Sequence, residues 1–431
     1  MEMEDKLKEL IARGAAAAEL ASICRPHAKR ETQTMNSDGF IDNPPTSPNQ
    51  LLALAVNYCN AKRVRDVLAS GADPNFRKWG SPLTTFAAAR NQSNVLRTLL
   101  EHGANPHLRD DQGSTSLHMA CQCGHNLAVS LLVEHGAPLD AQDGMGWTPL
   151  HSAINKEHLR AAALLLRAGA NPNLTDTQRM TPLHFGCKRH GDVNMTRSLI
   201  SHGADVAARD AQGRSPLHYA ARQGLPSCVH TLLKHGANVH ALARDGRTAL
   251  HYAAQSYEQS TITLLLRYGA DFRIMDRHGN TPLHLAAPFD RPNIVQLFLA
   301  VGADPMAQNK SGQSPLDLAV GPRRGIGGGG AVAMLRQIPK IPSLTLCRLL
   351  RNTVRRAIWV QGSNALVSEL LDRGVSPASL NAQDFQLMLA HAAEFNKANR
   401  TTGIPQQTLQ VLRLLANRGC RIPPHLTCEL L

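Results

Sequence analysis

A four-residue signature, Thr-Pro-Leu-His or a close variant, returns along this chain every 33 or 34 residues. It is intact at Thr148–His151, Thr181–His184 and Thr281–His284, and variants begin at Ser81, Thr115, Ser215, Thr248 and Ser314. A Gly-Ala pair keeps the same interval from Gly71-Ala72 to Gly302-Ala303. Two markers in phase mean one local structure built over and over. No single copy is large enough to bury its own apolar face, so each must stack on the next.

The residues inside one period fit two short helices. Thr148 is placed to cap a helix, its hydroxyl accepting an orphan N–H, and Pro149 stands at the first turn, where a missing donor costs nothing. The pairs Leu164-Leu165, Leu232-Leu233 and Leu264-Leu265 precede the Gly-Ala marker and are expected on the buried face of the second helix. Gly169 then stops that helix in a left-handed conformation. These motifs resemble the ankyrin repeat over roughly residues 50 to 320. The resemblance implies an all-α fold: a right-handed solenoid of eight or nine helix-turn-helix units with β-turn tips. It also implies that His151 bonds the backbone of a neighbouring unit and that partners dock on a concave face of turn tips and first helices.

At 431 residues the chain exceeds one ordinary domain, which an elongated array accommodates. Aromatic residues make up 4%, as expected where Ala and Leu fill narrow spaces between repeats. Nine scattered Cys, no secretory signal and no apolar run of membrane-spanning length point to an intracellular protein, cytoplasmic and/or nuclear, with no membrane partner. The formal charge is +13, and from residue 332 onward 12 Lys and Arg stand against 5 Asp and Glu. No nucleic-acid motif or stacking platform accompanies that charge, so it points to an acidic protein partner or to plain solvation rather than to nucleic acid.

Four regions follow. Residues 1–49 read as an N-terminal helix, with Leu7, Leu10 and Ile11 on one face, and a flexible connector. Residues 50–320 are the array. Residues 321–342 contain Gly327 to Gly330 and read as a Gly-rich linker. Residues 343–431 are a basic helical region, in which Leu346, Leu349, Leu350, Val354 and Ile358 share a face opposite most of Arg348, Arg351, Arg355 and Arg356. Two stretches there, ending at Gly374 and Gly419, resemble the second helix of a repeat without a signature before it, so the region reads as degenerate ankyrin-like helices or another small helical domain.

No catalytic, cofactor or metal site is expected. Six of the 20 histidines belong to the repeat signature. Cys121-x-Cys123-x-His125 sketches a metal site, but it lacks a second ligand pair and Cys121 occupies a core position. No nucleophile elbow, phosphate loop or kinase motif is present. Partner contacts are expected from positions just after the signature, namely Phe185, Lys188, Arg189, Tyr219, Arg222 and Gln223, with Tyr252 and Gln255 in the next unit. Trp147, Arg214 and Arg277 near the turn tips join them.

A second resemblance concerns the tail. Pro342–Arg348 and Ile422–Leu426 are similar to pieces of the ankyrin-repeat and SOCS-box family, although the spacing between them departs from that pattern. This resemblance implies a substrate-recognition subunit of a cullin-RING ubiquitin ligase, binding elongin B/C and a cullin.

Overall fold

The computed structural model describes residues 47–188, 191–289, 291–320, 329–338, 343–355, 363–399 and 405–423. The expected N-terminal helix around Leu7, together with Arg189, Arg356 and Ile358, lies outside these residues. Two compact units emerge, residues 1–186 with 194–205 and residues 187–193 with 206–431.

The helices come in pairs. Within the first unit lie α1 (Pro48–Asn57) with α2 (Ala61–Ala69), α3 (Leu83–Ala89) with α4 (Ser93–Glu101), α5 (Ser116–Cys123) with α6 (Asn126–Glu134), and α7 (Pro149–Asn155) with α8 (Leu159–Arg167). The next pair, α9 (Pro182–Lys188) and α10 (Val193–Ser201), lies mostly in it too. The second unit holds α11 (Pro216–Gln223) with α12 (Pro226–Lys234), α13 (Ala249–Ala253) with α14 (Gln259–Arg267), and α15 (Pro282–Ala286) with α16 (Pro292–Ala300). It continues with α17 (Pro315–Ala319) and α18 (Gly329–Gln337), α19 (Ser343–Arg355) and α20 (Ser363–Asp372), then α21 (Ala382–Asn399) and α22 (Gln406–Asn417). The one two-stranded sheet among the described residues pairs β1 (Arg77–Lys78) antiparallel with β2 (Ser81–Pro82).

Small residues let the first helices pack closely: Ala120, Ala153, Ala220, Ala253 and Ala286, each five positions after a signature start, are fully buried. The second helices supply bulk through Leu99, Leu132, Leu165, Leu232 and Leu265, also fully buried. Each such leucine contributes about 1.5–3 kcal/mol by leaving water. Of the expected pairs, only Leu232-Leu233 is buried throughout; Leu164 and Leu264 are half-buried, because on a helix adjacent positions are rotated apart and one of the two turns outward.

One expectation about the C-terminal third changes. Part of the expected linker is helix: Gly329–Gln337 forms α18, with Ala331, Met334 and Leu335 buried and Ala333 nearly so. Packing against α16 outweighs poor intrinsic propensity there. Stacking then goes on past the last recognisable signature, since α18 packs on α20, α20 on α22, and α19 on α21. The helices before Gly374 and Gly419 end as a repeat helix does, both glycines at positive φ (+83° and +80°).

Candidate functional site

Each signature closes a polar lock. At Thr148 the backbone N–H donates to His151 Nδ1 (3.1 Å), and the Thr148 hydroxyl lies 2.9 Å from the same nitrogen. Because an N–H can only donate, Nδ1 accepts and the proton sits on Nε2. That Nε2–H donates to the carbonyl of Met180, one unit on (3.1 Å). The arrangement recurs at His118 to Trp147, His218 to Ala241, His251 to Asn280 and His284 to Gln313. Neighbour-bonding by His151, implied by the resemblance, is therefore a feature of the fold. Burial dominates the titration of these rings: His151, His218 and His251 are held down at about 4, and His118 and His284 are lowered too.

In the ninth pair Asp317 replaces the histidine, its carboxylate accepting from Ser314 N (3.0 Å) and from the Ser314 hydroxyl (2.8 Å). The eleventh pair repeats the device with Asn381 and Asp384: Asn381 N donates to Asp384 Oδ2 (2.8 Å), and Asp384 N to Asn381 Oδ1 (3.0 Å). Asn381 stands 67 residues after Ser314 (381 − 314), two periods on. A search for Asn/Ser/Thr-x-x-Asp at the repeat interval finds this start; a search for Thr-Pro-Leu-His does not.

Between successive pairs a turn projects as a finger. Asp143 accepts from the backbone of Met145 and Trp147, Asp210 from Gln212 and Arg214, and Asp276 from His278 and Asn280. In the first unit side chains lace one finger to the next, Arg77 to the carbonyl of Arg109, Arg109 to Gln142 and Gln142 to Thr175.

The second unit adds an Asp-Arg-Tyr network. The Tyr219 hydroxyl donates to Asp210 Oδ2 (2.7 Å), and Arg214 Nε donates to the same oxygen (2.9 Å). Burial alone would raise the Asp210 carboxyl, but hydrogen bonds from Tyr219 and Arg214 hold it below its ordinary value. Burial, then Asp210, push the Tyr219 phenol up; Tyr252, which donates to Asp245 (3.2 Å), is pushed up to about 12 by burial and that carboxylate. Arg247 bridges on to Asp276 (3.2 Å).

This geometry sorts the expected contact residues. Tyr219, Tyr252 and Phe185 are only 5%, 6% and 4% exposed, so the expectation that they present themselves to a partner is corrected: Phe185 lies edge-on to His151 (5.4 Å), Tyr252 edge-on to His218 (5.6 Å), and Tyr219 is held on Asp210. Trp147 is half-buried and edge-on to Phe185 (5.2 Å), and Arg214 is half-buried on Asp210. Arg222, Gln223, Lys188 and Arg277 are exposed, and Gln255 half-buried. The Cys121-Cys123-His125 sketch also comes apart. Cys121 is buried with its thiol pushed up by burial, Cys123 is exposed, and His125 Nδ1 lies on the Ala88 carbonyl (2.8 Å). Among the described residues no cluster of His, Cys, Asp or Glu is disposed to hold a metal, and no helix is long and apolar enough to cross a membrane.

Paired short helices, locked signature histidines and projecting turns define a repeat protein whose units stack side by side. The family described as Ankyrin repeats (3 copies) matches residues 52–143, 84–176, 157–243 and 238–309. This chain belongs to the ankyrin-repeat family. It is similar to the crystal structure of the human ASB11 ankyrin repeat domain at 30% identity, covering 52% of this chain and 98% of that one, with a TM-score of 0.47. Ankyrin repeats are protein–protein interaction modules.

Proposed function

We propose that this protein is a non-enzymatic scaffold or adaptor that holds a protein partner on the face formed by its finger turns and the exposed ends of its first helices. One observation carries the reading. The side chains with chemistry in the signature (Thr, His and the finger Asp) are consumed by helix capping and by bonds to the next unit, whereas Arg222, Gln223 and Arg277 stand exposed at positions the architecture does not use. Buried thiols such as Cys121 and Cys187 suit a reducing compartment, cytoplasmic and/or nuclear.

A cullin-RING substrate receptor is the second reading, with less support from the helix that would dock elongin C. In α19, Leu346, Leu349, Leu350 and Val354 are buried in the stack, while Arg348 pairs with Asp317 (2.8 Å) and Arg355 with Asp384 (2.6 Å). The other piece of that likeness lies largely outside the described residues. Capture of the tagged full-length chain from cells, with crosslinking and mass spectrometry, tests both readings. Crosslinks from the exposed finger and first-helix positions to another protein are expected. Absence of any partner above the tag-only control sinks the adaptor reading, and recovery of elongin B/C with a cullin reverses the order of the two.

A further inference from the structure

Successive fingers of the second unit carry Arg244, Arg277 and Lys310 at equivalent positions, all exposed. Their backbones are fixed by one repeated bond: Arg244 N donates to Gln212 O (2.8 Å), Arg277 N to Asp245 O (2.9 Å) and Lys310 N to His278 O (3.0 Å). The same position in the first unit holds Asp111, Gly144 and Thr177, so the cationic row is particular to the second.

Nearby carboxylates are already engaged. Asp210 and Asp276 are buried under Arg214 and Arg247, Asp245 accepts from Tyr252 and faces Arg247, and Asp271 pairs with Arg273. Among the described residues Arg244, Arg277 and Lys310 form no ion pair. Two residues before each arginine stands an exposed apolar side chain, Leu242 (47% exposed) and Met275 (52%). Two of the three fingers therefore offer a cation two residues from an exposed apolar side chain.

We propose that this row docks an extended acidic segment of a partner protein, whose carboxylates meet Arg244, Arg277 and Lys310 while side chains between them cover Leu242 and Met275. The inference rests on the adaptor reading and names its partner's chemistry. Packed helices lie about 8–10 Å apart and an extended chain advances about 3.3 Å per residue, so successive fingers match about every third residue of such a segment. Nucleic acid would satisfy the charge but not Leu242 and Met275; Tyr219 and Tyr252 are buried with their hydroxyls on carboxylates, and the exposed Tyr257 and Tyr268 flank the helix Gln259–Arg267 rather than standing on a finger.

The test is fluorescence anisotropy of the full-length protein with a labelled peptide about a dozen residues long, Glu at every third position and Leu or Val among the rest. A Lys-for-Glu version and single-stranded RNA of equal length serve as comparisons. The acidic peptide is expected to bind, to weaken about tenfold or more in Arg244→Glu/Arg277→Glu/Lys310→Glu, and to weaken steeply as salt rises. Leu242→Ser/Met275→Ser is expected to weaken it at low and high salt alike. Thermal melts confirm that both variants fold. The inference is overturned if the acidic peptide does not bind, if the charge-reversed protein binds it equally well, or if RNA binds more tightly through the same three residues. A negative peptide result with partners still crosslinked in cells overturns this inference alone; loss of both overturns the adaptor reading as well.

Discussion

Leu164 and Leu165 are adjacent in sequence and unequal in burial, so they separate packing from mere apolarity. Leu165→Ala opens a cavity in a fully buried site and is expected to cost about 2–5 kcal/mol, whereas Leu164→Ala costs less because its side chain already meets solvent on one side. Chemical denaturation of the two variants checks this, and equal losses would mean the stack relaxes around either hole. Tyr219 makes a similar point for polar groups. Tyr219→Phe keeps the ring but removes the donor to buried Asp210, and is expected to destabilise by about 1–3 kcal/mol. If the variant melts like the parent while partner capture falls, Tyr219 is a contact residue after all.

At the scale of an element, the fingers depend on close backbone approach. Gly246 sits at φ +78°, and a Cβ built there would lie 3.0 Å from Arg277 N, the atom that fixes the next finger. Gly246→Ala is therefore expected to displace Arg277 from its bond to Asp245 and to loosen two fingers of the cationic row. Faster amide exchange at Arg277, with the helices of the unit unchanged, is the expected signature; unchanged exchange would show that the finger absorbs the methyl. The helix α18 is the other telling element. Its Gly330 lies against α16, where an added Cβ would stand 3.3 Å from Val295. A chain ending after Val320 should melt at lower temperature than the full chain, because Val295, now fully buried, would face water. An unchanged melt would mean that α18 contributes nothing.

Across the whole molecule the signature histidines act in concert. Their ordinary value lies near 6.5, and three of them are held at about 4 in the folded chain. Between those values the unfolded chain binds protons that the folded chain refuses, so stability is full above pH 6.5 and falls as pH drops toward 4. Each such histidine withdraws on the order of 3 kcal/mol across that window. Melting temperature is expected to fall steeply between pH 7 and 4.5. His251→Gln should melt lower than the parent at pH 7 yet lose less on acidification. A parent chain whose melt is flat over that range would show that these rings are not held neutral.

The sequence by itself determined the period, the caps and the glycine stops, because these rest on interactions within a few residues: Thr148 with His151, Pro149 at a first turn, Gly169 after a helix. It also placed Arg222 and Arg277 outside, since neither falls on an apolar stripe. What it left open are matters that distant residues settle. Whether Leu164 or Leu165 faces the neighbour depends on the rotation at which helices meet, and whether Tyr219 is contact or core depends on Asp210 waiting beneath it. Gly329 and Gly330 read as a joint until α16 supplies a surface to fold against. The stack's continuation past residue 320 was legible only in the helix ends at Gly374 and Gly419, because Asn381 and Asp384 close the same lock with different letters, and only the tertiary structure shows that a hydrogen-bond pattern, rather than a residue pattern, is what repeats.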